Sequence, residues 1–77
     1  MIEVTLYRTD PARNMARFYH LDIQRDLFGN WCLVREWGRI GKAGRCQING
    51  YQGQEQAVEA FTKWRFLKER RGYSDKY

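Results

Sequence analysis

Apolar and polar positions alternate along Ile2-Glu3-Val4-Thr5-Leu6-Tyr7-Arg8, and a period of two predicts a half-buried strand. Asp10-Pro11 breaks it, and a loop runs to Asn14. Alternation resumes over Arg17 to Gln24, with Tyr19, Leu21 and Ile23 on one face. Asp26-Leu27-Phe28-Gly29-Asn30 reads as a turn with an apolar plug, and Trp31 to Arg39 as a third strand. Gly41-Lys42-Ala43-Gly44 turns the chain, and Arg45 to Tyr51 returns as a fourth. Four short strands with tight links predict an antiparallel meander.

The period then changes. Ala57, Ala60, Phe61, Trp64, Leu67 and Lys68 recur at helical spacing, which predicts a helix from about Gln54 to Arg71. Gly72 stands where a helix stops, with Tyr73 able to fold back on the last turn. The helix must lay its apolar stripe on a sheet face. The expected fold class is therefore α+β: a four-stranded antiparallel β-sheet with one long C-terminal α-helix packed across a face. Residues 1–77 form one domain in this reading, with no repeat or low-complexity stretch.

If Gly41 and Gly44 flank a two-residue turn, Arg39 opposes Cys46 and Cys32 opposes Gly53. The two cysteines are then far out of register, and free thiols are expected. A one-residue slip exchanges the faces of a strand, so pattern alone leaves open whether Trp37 points at the helix or at solvent.

A chain of 77 residues needs bulky side chains to stabilise its single core, and the aromatic share of 16% supplies them. Trp31, Trp37, Trp64, Phe18, Phe28, Phe61, Phe66 and Tyr19 are the core candidates. No apolar run approaches the roughly 20 residues of a membrane span, and no basic-then-apolar leader precedes the first strand. A cytoplasmic protein with no membrane partner is the expectation. Cys32 and Cys46 form no CxxC, and His20 stands alone, so neither a structural zinc site nor a small-molecule cofactor is expected.

The net charge of +5 is unevenly placed. Acids and bases cancel through residue 34. Arg35, Arg39, Lys42 and Arg45 stand against Glu36 alone, and the rest of the excess lies in the helical region. Clustered positive charge favours an anionic partner, although a basic helix end also complements its own dipole.

The chemistry concentrates in Trp37-Gly38-Arg39-Ile40-Gly41. An indole face accepts a base or a sugar, and the guanidinium forks of Arg35 and Arg39 fit phosphate oxygens. Gly38 leaves room for the close approach of another backbone. No nucleophile–base pair or carboxylate dyad occurs at informative spacing, so no catalytic residue is assigned.

These five residues resemble the signature of the WGR domain. The likeness extends through Asn14-Met15-Ala16-Arg17-Phe18-Tyr19-His20-Leu21, through Trp31 to Arg35, and through Ala57, Phe61 and Lys68 to Gly72-Tyr73. It covers nearly all of residues 2–73, and the chain looks most like the small stand-alone bacterial members. In eukaryotic poly(ADP-ribose) polymerases similar domains bind broken DNA. The resemblance implies a DNA partner, Trp37 as the residue packing on a sugar near a strand end, and Arg39 as a phosphate ligand or relay to a neighbouring domain. It also places Asn14 and Arg17 near the nucleic-acid backbone. Lys42 and Arg45 read as rim charges. The first functional expectation is a non-catalytic module for DNA ends or breaks. The alternative is a protein–protein interaction module using the same Trp/Arg surface, since those residue types also form protein hot spots.

Overall fold

The computed structural model describes residues 2–76. Four strands, β1 (Ile2–Asp10), β2 (Met15–Arg25), β3 (Trp31–Arg39) and β4 (Arg45–Tyr51), pair in chain order as an antiparallel sheet. One helix, α1 (Gln54–Arg70), crosses one face. The expected meander and its docked helix are both present. The first two strands are longer than the alternation suggested, because a tight 3-10 turn over Pro11–Arg13 joins them, ended by Asn14 at φ 52°.

Strand geometry sends alternate side chains to opposite faces. Leu6, Tyr19, Leu21, Ile23 and Leu33 face the helix and form the core with Ala57 and Phe61. Ala57 and Phe61 are one turn apart, and Trp64 continues their stripe over the ring of Tyr19 at 6.5 Å. Val34 lies on the other face, since its neighbours Leu33 and Arg35 take the helix side.

Three of the expected core aromatics are not there. Phe18, next to the helix-facing Tyr19 on β2, takes the other side of the sheet, its ring beside Gly38 and Gly44. Phe28 is 88% exposed and Leu27 is 99% exposed. The Asp26 carboxylate accepts the backbone N–H groups of Phe28 and Asn30, each at 2.9 Å, and closes a turn that carries both apolar side chains outward. Phe66 is also exposed, two residues past the buried stripe of α1 and beneath the Arg70 guanidinium.

The β3–β4 hairpin is the main correction. Glu36 pairs with Cys46 and Cys32 with Gly50, a register three residues from the one expected of a two-residue turn. The cause is a contact between two glycines. A Cβ on Gly38 would lie 2.8 Å from the Gly44 Cα, and one on Gly44 would run into the Trp37 carbonyl. The close backbone approach expected at Gly38 is thus made by the chain's own Gly44, and the reversal lies between these residues. Cys32 and Cys46 remain apart and are free thiols.

Helix α1 ends as its sequence suggested. Gly72, at φ 96°, lets the Tyr73 N–H reach the Lys68 carbonyl at 3.1 Å while its own N–H reaches that of Glu69. This pair of bonds is a Schellman closure. It folds Tyr73 back over the helix, and Ser74 then exchanges two backbone hydrogen bonds with Tyr7 on the edge of β1.

Candidate functional site

β2, β3 and the end of α1 meet around an open hollow of about 880 Å³. Arg17, Arg39, Arg45 and Lys68 supply its charge, and Tyr19, Trp37 and Tyr73 its aromatic surface. A smaller hollow of about 220 Å³ adjoins it, lined by Tyr19, Arg35, Trp37, Trp64 and Lys68. Among the described residues no carboxylate lines either one.

Trp37 settles on the helix side of the sheet. It is paired with Tyr19 across the strands, and the two rings stack at 6.0 Å with planes 25° apart. It is half-buried, packed against the core along one side and lining the hollow along another.

Arg35 opposes Leu21 and is therefore driven under the helix. It is 8% exposed. Its guanidinium lies 4.1 Å from the centroid of Trp64 and 5.9 Å from that of Trp37. It donates to the Tyr19 hydroxyl and to Asn49 Oδ1, each at 3.4 Å, and its Nε has no partner. Both acceptors are neutral, and Arg35 makes no ion pair among the described residues. A buried cation without an anion is a costly arrangement.

Lys68 sits on the aromatic walls, its ammonium 4.6 Å from the Tyr19 ring and 5.6 Å from the Tyr73 ring. Desolvation, then the charges of Arg71 and Arg35, hold this ammonium below the usual lysine range. Burial pushes the Tyr19 hydroxyl up, opposed by the Arg35 hydrogen bond and charge. A negative charge entering the hollow would relieve the crowded cations.

Arg39 lies opposite Arg17 across the strands. Its two terminal nitrogens donate to the backbone carbonyl and the Oδ1 of Asn14, at 3.1 and 3.2 Å. Asn14 thus holds Arg39 and does not itself line the hollow. Of the sequence candidates, Arg17, Trp37, Arg39 and Arg45 share the larger hollow, and Arg35 lines the smaller one. Lys42 is exposed on the β3–β4 turn and lines neither. Sequence reasoning left out Lys68, Tyr19 and Tyr73. Lys68 falls on the α1 stripe one turn beyond Trp64, a spacing that marks it as inward-facing.

The Trp37-Gly38-Arg39 signature at the mouth of this hollow is matched by a family-wide likeness: residues 2–77 fit the WGR domain. The chain belongs to the WGR domain family. WGR domains are non-catalytic and are generally nucleic-acid-binding modules in poly(ADP-ribose) polymerase-like proteins. An uncharacterized protein of Sinorhizobium fredii (strain NBRC 101917 / NGR234), y4dW, is similar to this WGR chain, with 46% identity over 66 residues. The match takes in 86% of the present chain and 32% of y4dW, so the chain spans about a third of that relative's length. No solved structure matches it. No helix among the described residues is long and apolar enough to cross a membrane.

Proposed function

We propose that this WGR chain is a non-catalytic cytoplasmic module that binds DNA at ends or breaks. The observation that carries the reading is a hollow walled by four cations and three aromatic rings, with no carboxylate among the described residues, backed by an Arg35 that makes no ion pair among them. In this reading Trp37 packs on a terminal sugar or base, and Arg39, held by Asn14, binds the end phosphate. Arg17, Arg45 and Lys68 neutralise the adjoining strand. An end favours this geometry because it exposes both a sugar face and a doubly charged phosphate.

The test is an anisotropy titration of wild type, Trp37→Ala and Arg39→Ala with nicked, 5′-phosphorylated blunt and closed circular DNA. Loss of the Trp37 ring should cost about 1–3 kcal/mol of affinity. Loss of the Arg39 contact should cost about 1.5–3 kcal/mol. Both losses should be larger on the nicked and blunt DNA than on the circle. Equal affinity of three folded proteins for all three DNAs would reject the reading and favour a protein partner on the same Trp/Arg surface.

A further inference from the structure

The sheet face turned away from α1 carries a different chemistry. Glu3 pairs with Asp22 across β1 and β2, and Thr5 pairs with His20. His20 and Asp22 are two residues apart on β2, so their side chains share this face. One carboxylate oxygen from each of Glu3 and Asp22 and one imidazole nitrogen of His20 lie within 4.8 Å of one another. His20 looks isolated along the chain. Strand pairing gives it two carboxylate neighbours.

Asp22 is the unusual member. It is 6% exposed, and its Oδ2 accepts a 2.6 Å hydrogen bond from Gln24 Nε2. Its Oδ1 is buried with no partner. A buried carboxylate oxygen without a donor carries an unrelieved desolvation cost. The contact between His20 Nε2 and the Glu3 carboxylate, at 3.7 Å, does not satisfy it.

We propose that Glu3, His20 and Asp22 bind a divalent first-row transition ion of the zinc class. His20 Nδ1 lies 2.7 Å from Thr5 Oγ1. With the proton on Nδ1, the imidazole donates to that hydroxyl and turns the Nε2 lone pair toward Glu3. A fixed outer hydrogen bond of this kind orients metal-binding histidines. One imidazole with two carboxylates selects zinc-class ions over magnesium and calcium, which prefer oxygen alone. Bonds of roughly 2 Å require the donors to draw closer together. Glu3, half-exposed, is free to swing inward. Asp22 Oδ1 supplies the buried ligand, and water completes the shell on the open face. The site lies across the sheet from the cationic hollow and does not depend on DNA binding.

The test is calorimetric titration of the full chain with zinc chloride, in a Cys46→Ser background. Cys46 pairs with Glu36, which pairs with His20, so its exposed thiol stands in the same row and must be silenced. One equivalent of zinc should bind, and magnesium should bind at least tenfold more weakly. Asp22→Asn and His20→Ala should each weaken zinc at least tenfold, and Thr5→Val about tenfold. Melting in chelator reports whether each variant folds. If Asp22→Asn does not, Glu3→Gln and the zinc-induced shift of the His20 ring nitrogens in NMR spectra replace it. No saturable binding up to millimolar zinc, or binding unchanged in the folded variants, would overturn the proposal. Equal affinity for magnesium would overturn the assignment of ion class.

Discussion

The Arg35 guanidinium lies 4.1 Å from the Trp64 ring centroid, the two contributed by β3 and α1, and no carboxylate among the described residues pairs with the arginine. The indole face offsets part of the desolvation cost, because a cation over a ring is attracted by its quadrupole. The remainder is a standing cost that a bound anion would reduce. Stability and affinity should therefore respond in opposite senses to changes at this position. Arg35→Met keeps much of the packing volume and removes the charge. We expect its unfolding free energy to lie within about 1 kcal/mol of wild type or above it. Affinity for 5′-phosphorylated DNA should fall. Chemical denaturation and a DNA titration of the same preparation check both. A variant much less stable than wild type would show that Arg35 holds the helix in place by its charge.

Lys68 should behave similarly, with a pH signature. Its folded-state pKa is lowered by desolvation, then by Arg71 and Arg35. Between the lowered pKa and the ordinary lysine value the unfolded chain binds more protons, so stability rises with pH in that window. Below it the charged ammonium is a constant burden on the fold. Lys68→Gln should raise the melting temperature at neutral pH and flatten the alkaline slope. It should also weaken DNA binding and lower the salt slope by about 1. Melts from pH 7 to 10.5 on both proteins test this; an unchanged slope would refute it.

Phe61 is buried against the sheet and joins the helix to Tyr19 and Leu21 within one cluster. Phe61→Ala should cost about 3–5 kcal/mol. Domains of this kind hold only about 5–15 kcal/mol in total. The variant should lose its cooperative thermal transition or melt far below wild type.

Asn14→Gly preserves the φ 52° backbone and removes the Oδ1 acceptor from Arg39. The fold should be little changed, since the replaced residue is exposed and glycine accepts this conformation. Affinity for DNA ends should drop by about 0.5–1.5 kcal/mol, the worth of one such bond in holding the guanidinium. Arg39→Ala combined with Asn14→Gly should add nothing further, which a double-mutant cycle reads directly.

Much of this architecture is legible from local pattern. Tyr19, Leu21 and Ile23 announce their shared face by alternation, and Ala57, Phe61 and Trp64 theirs by helical spacing. What pattern misses is set by contacts between distant residues. The Gly38–Gly44 approach fixes the β3–β4 register, and no rule of turn length contains it. The carboxylate of Asp26 turns Phe28 outward by capturing backbone N–H groups, so hydrophobicity alone assigns that ring wrongly. At the site, the signature names Trp37 and Arg39. Lys68 and Tyr73 arrive only through the Schellman turn at Gly72 and the rings beneath the ammonium.

Strand β2 presents Arg17 and Tyr19 to one side and His20 and Asp22 to the other. Its two faces thus carry opposite chemical characters, separated by a single backbone thickness. Adding or deleting one residue within this strand would exchange them wholesale, placing a carboxylate among the arginines and a tyrosine ring in water. The segment between Arg17 and Asp22 should therefore tolerate conservative substitution better than any change in length. A library of single-residue insertions and deletions across the gene would register this as a gap over β2, with the exposed turn at Leu27 and Phe28 as its permissive border.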